Sequence, residues 1–238
     1  GALVTTASNI NLTTVKATTL NVDTSAALTL TSTSLAAADK LVTTTVKGAG
    51  SFTADLSGVS SLTSVNASAS TGANTVTLGA VAATYTGGSG VDTVVVSAAP
   101  TKVLNGGAGT ADVINLAGVG GTLLTSTSKA FITGFEVLSG TGGQGTFDLA
   151  LLPSITALTQ GVLGGAITYS NVVAGTGLTI TGNSGTTTAY NLANITGTTD
   201  AFALTVSSDT AVNTGAVTAN GIETITITST DTSTTQHK

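Results

Sequence analysis

Hydrophobic and polar residues alternate along much of this 238-residue chain. Leu28-Thr29-Leu30-Thr31, Thr75-Val76-Thr77-Leu78, Leu178-Thr179-Ile180-Thr181 and Ile225-Thr226-Ile227-Thr228 all repeat with period two. Such alternation sends one set of side chains into a core and leaves the other outside. It predicts half-buried strands whose outer face is a ladder of threonine hydroxyls. Turn signals separate the runs, as at Gly182-Asn183-Ser184-Gly185. Helical spacing is weak; its best case, Leu35 to Leu41 after Ser34, predicts about two turns at most.

Three segments in the middle third share one pattern. They are Gly72-Ala73-Asn74-Thr75-Val76-Thr77-Leu78, Gly90-Val91-Asp92-Thr93-Val94-Val95-Val96 and Gly109-Thr110-Ala111-Asp112-Val113-Ile114-Asn115-Leu116. Asn74 and Asp92 are 18 residues apart, as are Val76 and Val94, and Gly87 and Gly106 are 19 apart. A coil of two nonapeptides has that length, so these segments are expected to stack as rungs of a parallel solenoid. The predicted fold is all-β: an elongated parallel β-solenoid of the β-roll or β-helix type. Two further units, Gly134-Phe135-Glu136-Val137-Leu138 and Gly221-Ile222-Glu223-Thr224-Ile225, are expected to turn into strands. They hold the only two glutamates, Glu136 and Glu223, at the turn. A looser echo links Leu62-Thr63-Ser64-Val65-Asn66 with Leu12-Thr13-Thr14-Val15-Lys16.

Composition narrows the reading. Charged residues are 7% and hydrophobic ones 41%, with a formal charge of -5, so the chain has the means to fold and lacks the signature of disorder. Aromatics are 3%, and Met and Trp are absent, which predicts a thin core of stacked Val, Leu, Ile and Ala. With no Cys, disulfides, thiolate metal sites and cysteine nucleophiles are excluded. Six Lys, no Arg and a pI near 4.4 leave no basic face for phosphates, which argues against nucleic-acid binding. No apolar run approaches the ~18 residues of a membrane span, and no signal peptide is visible. The chain begins at Gly1 and reads as a piece of a larger protein.

At Gly87-Gly88-Ser89-Gly90-Val91-Asp92-Thr93-Val94-Val95 the sequence resembles the repeats-in-toxin (RTX) nonapeptide, Gly-Gly-x-Gly-x-Asp-x-apolar-x. Gly106-Gly107-Ala108-Gly109-Thr110-Ala111-Asp112-Val113-Ile114 is its partner, with one residue too many before Asp112. Asn74 stands where a further Asp is expected. From about Gly134 to His237, Ala193-Asn194-Ile195-Thr196-Gly197-Thr198-Thr199-Asp200 and Gly221-Ile222-Glu223-Thr224-Ile225 followed by Thr230-Asp231-Thr232 resemble bacterial surface-layer (S-layer) proteins of the RTX type, as in Caulobacter. The resemblance implies a calcium-stabilised solenoid, secreted by a type I system, that assembles into a two-dimensional lattice over the outer membrane. The chain then divides into residues 1–70, a Thr-rich segment; 71–133, the RTX-like β-roll; and 134–238, further rungs. Together they are expected to make one continuous elongated unit.

Tight glycine turns bring backbone carbonyls close together, and an Asp from each rung adds the hard oxygens that Ca²⁺ takes. The candidate calcium ligands are Gly88, Gly90, Asp92, Gly107, Gly109 and Asp112, with Glu136 and Glu223 as further candidates; Asp148, Asp200, Asp209 and Asp231 are left open. Catalytic parts are sparse. The only His is His237 in a polar tail, no His-Glu-x-x-His helix exists, and Tyr85, Tyr169 and Tyr190 have no acidic or basic sequence neighbours. These tyrosines are expected to serve in packing or lattice contacts, and the chain is expected not to be an enzyme. Two functional classes remain. One is a structural S-layer segment on the cell surface, whose partner is itself, with lipopolysaccharide met through other parts of the full-length protein. The other is the stalk or binding module of a calcium-dependent RTX adhesin that recognises glycan or lipopolysaccharide.

Overall fold

The structure is a computed structural model that describes residues 8–10, 16–30, 40–79 and 83–231. The short helix expected from Leu35 to Leu41 falls, except for Lys40 and Leu41, in residues 31–39. These lie outside the described residues, as do Leu12-Thr13-Thr14-Val15 and His237. The fold is a β-solenoid of about 9 turns, almost entirely parallel sheet with 5% helix. Its chain forms two compact units, Gly1–Ile114 with Ala130–Phe135, and Asn115–Lys129 with Glu136–Lys238.

In the first unit successive strands go alternately to two parallel sheets. One contains, in order, β1 (Ser8–Ile10), β3 (Leu28–Leu30), β5 (Phe52–Asp55), β7 (Asn74–Leu78), β9 (Asp92–Val96) and β11 (Val113–Leu116). The other contains β2 (Thr19–Thr24), β4 (Thr43–Gly48), β6 (Ser64–Ser70), β8 (Thr84–Thr86), β10 (Leu104–Asn105) and β12 (Ile132–Thr133). Every turn of the solenoid thus adds one strand to each sheet, and like residues stack in columns. Leu30, Ala54, Val76 and Val94 form a buried column. One residue earlier, Thr29, Thr53, Thr75 and Thr93 form the expected outer threonine ladder.

The second unit repeats the plan. β13 (Val137–Ser139), β15 (Ala157–Gln160), β17 (Gly177–Ile180), β19 (Ala201–Ser208) and β21 (Thr224–Asp231) make one sheet. β14 (Gly145–Asp148), β16 (Ile167–Val172), β18 (Thr188–Leu192) and β20 (Val217–Asn220) make the other. Thr159, Thr179, Thr205 and Thr228 align as a second outer ladder. Of the four alternating runs singled out above, residues 28–30, 75–78, 178–180 and 225–228 lie in strands of these sheets; Thr181 follows its strand, and Thr31 lies outside the described residues.

The central coil keeps the 18-residue spacing read from the sequence, pairing Asn74 with Asp92, while the register pairs Leu28 with Phe52 and Thr188 with Val217, so coils outside it are longer. Parallel stacking demands alignment of strands, and the turns between them absorb extra residues on the outside. The core is also richer in aromatics than expected. Tyr85, Tyr169, Tyr190, Phe52, Phe135, Phe147 and Phe202 are all among the largest buried side chains. Phe147, Tyr169 and Tyr190 share one column, with the rings of Phe147 and Tyr169 at 6.3 Å. Aromatics are few, but nearly all of them go inside, each burial contributing about 1.5–3 kcal/mol. Buried tyrosines are not available for lattice contacts.

Candidate metal centre

Three turns stack along one edge of the first unit: those leading from β6 to β7, β8 to β9 and β10 to β11. Backbone bonds link them directly, from Ser89 N–H to the Ser70 carbonyl at 3.1 Å and from Ala108 N–H to the Gly88 carbonyl at 2.7 Å. Such spacing leaves no room for side chains. A Cβ at Gly88 would overlap the Ser70 carbonyl oxygen, one at Gly90 the Gly72 oxygen, and one at Gly107 the Gly88 oxygen. Gly107 also has φ +111, a conformation that favours glycine. All six residues predicted as calcium ligands therefore lie in two adjacent turns, as their spacing implied.

The two aspartates lie within these turns, both fully buried. Asp92 opens β9 directly above Asn74, and the register is Asn74 to Asp92 and Val76 to Val94. Asp112 lies one residue ahead of β11, so the extra residue before it is taken up in the turn. It remains in reach, because Asp92 N–H donates to Asp112 Oδ1 at 2.8 Å. The Asp112 carboxylate lies over Gly109, where a Cβ would come within 2.6 Å of Oδ1. Asp92 Oδ2 accepts from Gly88 N–H at 2.7 Å, and its Oδ1 accepts from Asn74 Nδ2 and from the Tyr85 hydroxyl, the latter at 3.1 Å. Asn74 Oδ1 in turn accepts from Ser70 Oγ at 3.3 Å.

Electrostatics follow from this burial. Loss of water raises the pKa of Asp92 above its ordinary 3.8, opposed by the bonds from Asn74, Gly88 and Tyr85. Burial, then the Asp92 charge and hydrogen bond and the Asp112 charge, hold the Tyr85 phenol far above its ordinary value. The donors to Asp92 from Asn74, Gly88 and Tyr85 are all neutral. Two carboxylates in adjacent turns, with glycine carbonyls beside them, are a donor set of the hard-oxygen kind that suits calcium. Asp92 Oδ2 carries one hydrogen bond, so it retains lone-pair capacity for a cation.

The other acidic candidates are not gathered with this pair. Glu136 and Glu223 do stand at turns that open strands, after Gly134 at φ +64 and Gly221 at φ +74. Glu223 Oε2 accepts from Asp200 N–H at 2.8 Å, bracing the preceding coil, while the Glu136 carbonyl accepts from Thr156 and Ala157. Asp148 Oδ1 accepts from Ala150 N–H at 3.0 Å and Asn171 Nδ2 at 2.7 Å. Among the described residues no group of three or more His, Cys, Asp or Glu side chains converges.

Reading the sequence alone missed Tyr85, judged to have no acidic neighbour. Asp92 is seven residues away, on the next strand of the other sheet, and the solenoid brings the hydroxyl to it. The signal was present as a turn of glycines between two short strands, which folds the second back across the first. No family model and no curated protein matches the chain.

Proposed function

We propose that the chain is a structural, calcium-stabilised segment of a secreted surface layer of the S-layer kind, assembling with copies of itself on a cell surface. The observation that carries this reading is the buried pair of carboxylates, Asp92 and Asp112, one rung apart within the glycine turns. Bound beside them with the carbonyls of Gly88, Gly90, Gly107 and Gly109, calcium would supply compensating positive charge, and binding would add to folding stability.

Other features support a structural role. Two threonine ladders line the outer faces, and the hydroxyls of the three tyrosines are committed inside: Tyr85 to Asp92, Tyr169 to Gln160 and Tyr190 to the Thr176 carbonyl. The reading assigns the chain no catalytic step. Calorimetric titration with calcium, with thermal melting before and after chelation, tests the ion, and electron microscopy tests lattice formation. Saturable heat, a higher melting temperature and ordered sheets are expected. Melting unmoved by calcium or chelator would remove the ion from the reading. A monomer that retains a glycan or lipopolysaccharide in a pull-down would favour the adhesin reading.

A further inference from the structure

In the first unit, the sheet that contains β2 carries two columns of uncharged hydrogen-bonding side chains on its outer face. The register stacks Asn21, Thr45, Asn66, Thr86, Asn105 and Thr133 in one column, asparagine and threonine in strict alternation. Two residues earlier in each strand, Thr19, Thr43, Ser64 and Thr84 form a second column beside the first four. Between the columns Thr44, Val65 and Tyr85 are buried, so both columns face outward. Rungs lie about 4.7–4.9 Å apart and the columns about 6.6 Å, twice the rise of one residue. Hydrogen bonds hold members of the array in place. Thr43 Oγ1 donates to Thr19 Oγ1 at 3.2 Å, Asn66 Oδ1 accepts from Ser68 N–H at 3.0 Å, and Asn105 Oδ1 accepts from Gly107 N–H at 2.9 Å. The register shift between β4 and β6 comes after Thr45 and so falls beyond both columns.

We propose that this face binds ice. A surface that presents the same kind of group at every rung is engaged along its length only by a partner with the same repeat, a crystal face or a linear polymer. Two columns in register on an open sheet demand order in two directions, which a crystal has and a single polymer chain lacks. Charge then selects the crystal. Neither column contains an ionisable residue, so an ionic mineral meets no counter-charge. In the next column Asp23 and Lys47 are paired with each other at 2.9 Å. Neither column contains an aromatic ring to stack on the sugars of a crystalline polysaccharide. The partner that matches is a neutral lattice of hydrogen-bonding oxygens, ice, whose oxygen rows repeat at spacings close to these two. Hydroxyl and amide groups join that lattice, and the threonine methyls order the water between them.

The other outer faces lack this array. In the opposite sheet the column Thr29, Thr53, Thr75 and Thr93 has Asp55, Thr77 and Val95 beside it, so an acid and an apolar group break the repeat. In the second unit Thr159, Thr179 and Thr205 follow Ala157, Gly177 and Ala203 by two residues, with no polar side chain in that neighbouring column. The sheet that contains β14 is interrupted by Ala189 and by a register shift after Tyr169. Among the described residues, only the β2 sheet keeps two columns polar and uncharged through four rungs. The proposal rests on that face alone and requires neither a calcium site nor a protein lattice.

Ice itself is the probe. The full chain, in calcium-containing buffer, is mixed with an inert globular protein and frozen slowly on a cold finger, and both proteins are measured in the ice and in the liquid. The chain is expected to concentrate in the ice while the inert protein stays in the liquid. Thr45→Lys/Thr86→Lys, at two exposed positions two rungs apart in one column, is expected to abolish the enrichment with unchanged circular dichroism. Thr53→Lys/Thr93→Lys, on the opposite sheet, is expected to keep it. A folded wild-type chain that stays in the liquid overturns the proposal whatever the variants do. Equal loss in both double variants overturns it as well, because the contact then does not lie on this face. Retention on crystalline cellulose without enrichment in ice also overturns it and gives the face to a polysaccharide. Enrichment in ice by a chain that never forms ordered sheets leaves it standing and counts only against the surface-layer reading.

Discussion

Asn74 Nδ2 donates to Asp92 Oδ1, joining residues 18 apart in sequence and adjacent in the ladder. Both are fully buried, and the bond supplies a donor to that oxygen beside the Tyr85 hydroxyl. An amide therefore stands one rung below Asp92 and two below Asp112, where a third acid would add charge to a dry turn.

Asn74→Ala is expected to destabilise the fold by about 1–3 kcal/mol, because it withdraws a donor from a buried carboxylate. Urea unfolding measures it. Asn74→Asp separates the roles of proton and metal: without calcium it destabilises at neutral pH, and with calcium bound nearby it recovers stability and tightens binding. Equal loss with and without the ion would remove Asp92 from any calcium site.

The stacked turns should be intolerant of a single methyl group. A Cβ at Gly87 would overlap the Gly106 carbonyl oxygen and approach Asp92 Oδ2 to 2.5 Å, whereas one at Gly121 meets nothing within 4 Å. Gly87→Ala is expected to cost about 3 kcal/mol and Gly121→Ala about half a kcal/mol or less, measured by thermal melting.

Alkali should unfold the second unit through its buried phenols. Burial pushes Tyr190 up to about 12 from an ordinary 10.0 and raises Tyr169 further. The unfolded chain loses these protons first, so each phenol contributes stability that is complete below pH 10 and declines as pH rises toward the folded value. In stability curves from pH 9 to 12, Tyr169→Phe/Tyr190→Phe is expected to show a shallower fall than wild type, starting from a lower plateau because the bonds to Gln160 and Thr176 are lost.

Position along a column should decide the cost of truncation. Leu178→Ala, in the middle of the buried leucine column, is expected to lose about 2–5 kcal/mol. Ile227→Ala, on the same column but exposed, is expected to lose less than about 1 kcal/mol when measured at a dilution where the chain is monomeric. A similar loss at both positions would mean that β21 is covered within one chain.

Strand character was legible in the sequence because it is local. Thr75-Val76-Thr77-Leu78 alternates, and a pleated backbone sends alternate residues to opposite faces wherever the strand lies. The glycine spacing likewise fixed which turns would stack, since only glycines let the backbone of one turn come as close to the next as Gly90 does to Gly72. Two things were settled by the tertiary structure alone. One is the partner of Asp92: the glycine turn between them shows only that the chain folds back, and how the coil closes decides that the Tyr85 hydroxyl reaches Asp92 from a strand of the other sheet. The other is which apolar positions lie in the core. Leu178 and Ile227 occupy the same place in the same alternating pattern, and only the presence of a rung on each side buries the first while the second stays in water.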